Sequence, residues 1–232
     1  MPGRNVRYAG AFGCGIALAA VCGCGGGGYG EKISLPPSEK RVPIESRFAE
    51  GKPLYFPKDQ TFNVYDAQRT SSGEATAESW ARPAGTAMAK AAATAVGTAT
   101  AEFQIGQVIE TRTDTAIDVT AVFDLKYEYT VETDASDLTK PADKLGLKVF
   151  IRDSNRNVLK RTVLVDLGTA EGPRHFVGRE KPSFDLTLEP GLAYQFVLAG
   201  LVEVQGTDAS AASGQIDLQA FELELLPRNT HR

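Results

Sequence analysis

The sequence predicts an all-β protein, a two-layer antiparallel β-sandwich of jelly-roll type with about ten strands. Three observations lead there. Apolar residues recur at every second position over several long stretches, turn-forming residues punctuate those stretches, and no stretch carries a convincing apolar stripe at helical spacing. Successive side chains of a strand point to opposite faces, so a period of two describes strands that each bury one face. The sandwich is expected over residues 54–227, preceded by a leader at 1–23 and a tether at 24–53, and followed by a polar tail at 228–232.

The chain opens "MPGRNVRYAGAFGCGIALAAVCGCGGGGYG". Arg4 and Arg7 form a positive beginning, and Tyr8 to Val21 form an uncharged, largely apolar run. As a helix those 14 positions would span about 21 Å, short of the roughly 30 Å hydrocarbon core, so a signal peptide fits better than a permanent membrane span. All the cysteines, Cys14, Cys22 and Cys24, lie here, which leaves the body without a disulfide or a thiolate ligand. The segment "VCGC" resembles the box of bacterial lipoproteins, with Val21 three positions before Cys24 and the small Gly23 directly before it; Cys22 departs from the usual small residue. The resemblance implies cleavage before Cys24 and diacylglycerol on its sulfur, with Cys22 as the alternative attachment point. Two or more acyl chains would make the anchoring last. Gly25 stands where an aspartate would retain some of these proteins at the inner membrane, so the expected location is the outer membrane or cell surface, with simple secretion as the alternative.

Gly25 to Gly28 and the mixed charges and prolines between Glu31 and Lys52 lack periodicity and read as the tether. The glycine run has no Gly-Lys-Ser/Thr after it, so it is no phosphate loop, and no cofactor motif is present elsewhere. "LYF" at 54–56 and "TFNVY" at 61–65 begin the strands. From 75 to 105 every odd position is small or apolar, among them seven of the alanines between 87 and 101, while Glu78, Arg82, Lys90 and Glu102 fall on even positions. Alanine favours helix, but a helix over 86–96 would present alanine all round and have only Met88 and Val96 to anchor it, so strand is the preferred reading and helix the alternative. So long a run must break, at Pro83, Gly85 or Gly97.

Residues 118–132 alternate most cleanly, with Val119, Phe123, Leu125 and Tyr127 on one face and Asp124, Lys126 and Glu128 opposite. "LGLKVFIR" and "NVLKRTVLVD" flank "DSNRN" as a hairpin. "SFDLTL", "LAYQFVLAGLVEV" and "QIDLQAFELELL" supply the last strands. The pattern of Leu188, Pro190, Gly191 and Tyr194 resembles the end of secreted bacterial sandwich modules of pre-peptidase or carbohydrate-binding type, which implies a fold and no activity.

Hydrophobic and charged contents of 42% and 23% exclude wholesale disorder and a polytopic membrane protein. A formal charge of -4 disfavours nucleic acid as a partner. The leading function is therefore a noncatalytic lipid-anchored envelope protein with a binding or structural sandwich. Its expected partners are the membrane, through the lipid, and a polysaccharide or another envelope component.

A carbohydrate-binding module is the first alternative. Trp80, in the polar context "AESWARP", is its candidate exposed aromatic, and the basic stretch holding Arg174, His175, Arg179 and Lys181 its candidate contact for an anionic ligand. An extracellular glycoside hydrolase is the second; it would need a carboxylate pair drawn from Asp124, Glu128, Glu222 and Glu224, which are expected on solvated faces. No serine has the setting of a nucleophile elbow to pair with His175. Asp153, Asn155 and Asn157 imitate the first three ligands of a calcium loop, but Val158 replaces the glycine and Leu164 the final glutamate, so a hairpin turn is the simpler reading.

Overall fold

A computed structural model describes residues 42–44, 52–133, 144–168, 174–208 and 210–228. Cys22, Cys24 and the leader lie outside the described residues. The strands are β1 (Val42–Ile44), β2 (Leu54–Phe56), β3 (Val64–Arg82), β4 (Thr86–Thr111), β5 (Ile117–Thr133), β6 (Lys144–Asp153), β7 (Val158–Gly168), β8 (Arg174–Glu180), β9 (Ser183–Leu188), β10 (Ala193–Gly206) and β11 (Ala212–Pro227). The described residues contain no helix, so the alanine-rich stretch is strand, as its rhythm requires. One small departure is β1, which pairs parallel with Ile109–Thr111 of β4 from inside the segment expected to be a tether.

The hydrogen-bonded order β7-β6-β10-β4-β11-β5-β8 is one continuous path, yet it makes two layers. Strands β3 and β4 form a long antiparallel hairpin, turning through Pro83 to Gly85. Along its other edge β4 pairs with β11 from Ala87 to Ala93, and with β10 from Gly97 to Glu110. The neighbour therefore changes where the hairpin bends. The first layer is β7, β6, β10 and the far halves of β4 and β3; the second is the near halves of β3 and β4 with β11, β5, and β8 and β9 on the outer edge of β5. Beyond the hairpin turn, β2 takes the place of β4 beside Leu223–Leu225 of β11.

Glycines make that bend possible. Gly73, Gly97 and Gly206 are directly paired across β3, β4 and β10. A Cβ on Gly97 would stand 2.6 Å from the Ser72 carbonyl oxygen, and one on Gly206 2.1 Å from that of Ala95. Gly73 has φ 66°, which an L side chain resists, and the register slips by two residues between Gly73 and Ala75, where β4 carries the extra pair.

One apolar core fills the space between the layers. Phe103, Leu198, Val149 and Ile151 enter it from the first layer, Phe123, Leu125, Ile216 and Leu223 from the second. The odd-numbered alanines of β4, Ala87 to Ala101 with the exception of Ala95, are fully buried in it. Where the hairpin carries one layer into the next the space is too thin for larger groups, and alanine fills it without voids. Phe62 stacks on Phe221 with centroids 4.7 Å apart and closes one end.

The outer face of the first layer is buried as well. Phe150, Val197 and Ala199 form a small cluster there, Lys148 and Arg152 flank the Phe150 ring with each cation 5.7 Å from its centroid, and Arg152 Nε donates to Gln195 Oε1. This explains why "LGLKVFIR" is buried at every position instead of at alternate ones.

The glycine corner yields the first prediction. Gly97→Ala and Gly206→Ala should each lower stability by about 1–3 kcal/mol, since backbone must move to admit a methyl group. Gly168→Ala, with nothing within 4 Å and no positive φ, should leave the thermal midpoint unchanged or slightly raised. Thermal unfolding followed by circular dichroism compares the three.

Candidate functional site

Register decides which of the expected site residues meet. Trp80 pairs with Met88, Met88 with Asp217, Asp217 with Glu128 and Glu128 with Val177, so this row crosses the outer face of the second layer from β3 to β8. Trp80, His175 and Arg179 thus share one face. They stand at its opposite edges, four strand spacings or about 19 Å apart, and form no common site. Trp80 is half-buried, with the Arg82 guanidinium 4.6 Å over its ring, and is not the bare aromatic its context suggested. Arg174 lies opposite Val131, on the other parity of β8 from His175 and Arg179.

The basic stretch meets carboxylates from the neighbouring strand. Arg179 clasps Asp124 through two bonds, Nε to Oδ1 at 2.7 Å and an Nη to Oδ2 at 2.6 Å. Lys181 Nζ lies 3.3 Å from the same carboxylate and 4.0 Å from Glu224. Asp124 was expected on a solvated face, yet its side chain is only 7% exposed, because the two cations lie over it. The Arg179 hydrogen bond holds its carboxyl below the usual 3.8; burial pulls the other way, and Lys181 assists Arg179. His175 Nε2 sits 2.7 Å from Glu128 Oε1, and Gln219, displaced by a bulge in β11, donates to Glu128 Oε2 at 3.1 Å. A carboxylate so engaged is a cross-strand partner.

Asp153, Asn155 and Asn157 come together as a turn. Asn157 donates its backbone N–H to Asp153 Oδ1 at 2.9 Å and its side-chain amide to Oδ2 at 2.8 Å, while Arg156 takes φ 67°. Burial raises the Asp153 pKa, but these bonds prevail and lower it. Both carboxylate oxygens are spent on the hairpin. Among the described residues no group of three His, Cys, Asp or Glu side chains stands close enough to hold a metal ion.

The ring that sequence reading missed is Phe176 on the edge strand β8, beside Tyr127 and Tyr129 of β5, which the sequence offers as stacking candidates with Tyr194 and Phe196 but places in regular strand alternation. Phe176 pairs with Tyr129 and stacks on it, centroids 5.4 Å apart and rings 22° from parallel; Tyr127 lies 5.7 Å from Phe176. Phe176 is 40% exposed, Tyr129 half-buried and Tyr127 buried. Burial, then the nearby Glu180 carboxylate and Tyr129, push the Tyr127 hydroxyl up to about 12. The Phe176 ring folds across Gly178, where a Cβ would meet it at 2.1 Å. The available signal was alternation within "RHFVGRE": His175, Val177 and Arg179 face one way, Phe176, Gly178 and Glu180 the other.

No family model matches the chain, and no curated protein matches it. Solved structures similar to it include a carbohydrate-binding module of the β-sandwich superfamily described for promiscuous specificity, 11% identical over 72% of this chain and 59% of its own, TM-score 0.28. This chain therefore spans 59% of that structure's length. A xylan-binding domain from Paenibacillus barcinonensis is 12% identical over 69% of this chain and 86% of its own, TM-score 0.18. A family 35 carbohydrate-binding module from Clostridium thermocellum is 10% identical over 71% and 97%, TM-score 0.19. Likeness at this level carries nothing about ligand or activity.

The clasp on Asp124 predicts a pH signature. Its folded pKa is depressed, so its contribution to stability is full above the unfolded value of 3.8 and is lost as the pH falls through the folded value. Asp124→Asn should lower the thermal midpoint at neutral pH by about 2–4 °C, and that gap should close as the pH drops below 3.8. A gap that stays constant to acid pH would contradict the assignment.

Proposed function

We propose that this chain is a noncatalytic binding protein of the cell envelope, a β-sandwich held to a membrane by lipid on Cys24. The leader supports the anchor. The observation that carries the noncatalytic reading is the state of Asp124, the most enclosed of the candidate acids, together with that of Glu128. A glycosidase needs a carboxylic acid with a raised pKa beside a second carboxylate. Asp124 is driven the other way by Arg179 and Lys181, and Glu128 is tied to His175 and Gln219. Both groups join strands, and Asp124, held ionised, has no proton to give. The outer membrane or cell surface is the proposed location, and secretion without lipid the alternative.

Polysaccharide binding is the second reading. The exposed Phe176 ring, stacked on Tyr129 at an edge with no further strand among the described residues, favours it.

Metabolic labelling with palmitate tests the anchor. The wild type and Cys22→Ser should both take up label and fractionate with membranes, whereas Cys24→Ser should take up none. Label retained in Cys24→Ser but lost in Cys22→Ser would move the attachment to Cys22, and an unlabelled wild type would remove the anchor.

A further inference from the structure

The side of β8 that faces the layer interior carries Phe176, Gly178 and Glu180, opposite Tyr129, Tyr127 and Leu125 of β5. We propose that this edge is a binding site for an uncharged pyranose chain, with Phe176 as its stacking ring and Glu180 as a hydroxyl acceptor. The assignment rests on reading the chain as a binding protein and names the ligand class and residues.

Three features carry it. The first is a flat, supported ring. Phe176 cannot collapse inward, because Tyr129 and Tyr127 already fill the space behind it, and it lies across Gly178 only because that position has no Cβ. An aromatic face held this way meets the axial C–H face of a pyranose without a further ordering cost. The second is the charge beside it. Glu180 is exposed and lies two positions beyond Gly178 on the side of β8 across which the Phe176 ring folds, so a carboxylate acceptor for sugar hydroxyls stands on the ring's side of the strand. The same charge repels a uronic acid or a phosphate at the Gly178 end of the ring, which favours uncharged sugars there. The third is access. β8 ends the hydrogen-bonded path, and no described strand lies beyond it, so a long chain could run past the ring without threading a pocket.

Of the basic residues, His175 and Arg179 point to the other face, where Glu128 and Asp124 hold them, while Arg174 shares the parity of Phe176 at the opposite end of β8 from Glu180.

Full-length protein in a polyoxyethylene detergent, run in native gels cast with soluble β-glucan, xylan or galactomannan, tests the proposal, with alginate as the polyanionic comparison. At least one neutral polymer should retard the wild type, and alginate should not. Phe176→Ala should weaken that retardation at least tenfold, Phe176→Trp should keep it, and Glu180→Gln should weaken it several-fold. Val177→Ala, on the opposite face, should behave as wild type. Gly178→Ala, which keeps every aromatic group but tips the Phe176 ring, should also lose retardation, and unchanged circular dichroism and thermal midpoint show that these variants fold. No retardation by any neutral polymer, equal retardation of Phe176→Ala and wild type, or stronger retardation by alginate would each overturn the assignment. None of these outcomes bears on palmitate labelling, so the anchor and the site fail separately.

Discussion

The hairpin of β3 and β4 belongs to both layers, and everything else is arranged around that sharing. A strand of 26 residues cannot stay in one flat layer of a small domain, because twist accumulates along it and the core beneath it has finite width. It has to turn, and a ladder that turns brings the backbones of neighbouring strands too close for side chains. Gly73, Gly97 and Gly206 remove the side chains at that line, and Ala87 to Ala93 on one side and Ala99 and Ala101 on the other keep the angle between the layers narrow. Then β10 and β11 follow without further instruction. Each pairs antiparallel to β4 on its own side of the corner, and the short connection between them carries the chain from one layer to the other.

This constraint also explains which parts of the fold could be read from residues alone. The period of two survives wherever one face is buried and the other is wet, as along β5, and it correctly overrode the helical propensity of alanine in β4. Propensity is a small term per residue, and a strand shared by two layers gains far more from its neighbours. Alternation failed where both faces are closed: β6 reads as a buried run, and its Lys148 and Arg152 would have been assigned to solvent. Nor does periodicity say when a strand exchanges neighbours. Gly97 was visible as a breaker, but its pairing with Gly206, 109 positions further on, is a property of the folded chain.

The charged face of the second layer shows the same limit in a chemical form. "PRHFVGREK" looks like an anion site when it is read along the chain, since four of its side chains are basic. Folding sets it beside β5, whose outward positions supply Asp124 and Glu128 on the diagonals from Arg179 and His175, and these carboxylates take up their charge. Asp185 repeats the pattern at β9, accepting from Thr120 at 2.6 Å and pairing with Arg228 at 3.0 Å. Opposite charges facing each other across strands fix register and discourage edge-to-edge association. They leave little net field to draw a charged partner.

The two sides of the sandwich are therefore unequal. On one, the hairpin joins the layers with backbone hydrogen bonds and small residues. On the other, β7 and β8 are the two ends of the hydrogen-bonded path among the described residues. At the β8 end the rings form a graded series from core to surface: Tyr127 is buried, Tyr129 half-buried and Phe176 exposed on one side. A ring at the end of such a series is stiff because the rings behind it are packed. Stiffness lowers the ordering cost of binding, so the surface most suited to a flat ligand is the one whose shape the core already dictates. A binding role for this edge thus requires no loop to be ordered and no group to be unpaired, while any role for the charged face would first have to break bonds that the fold has made.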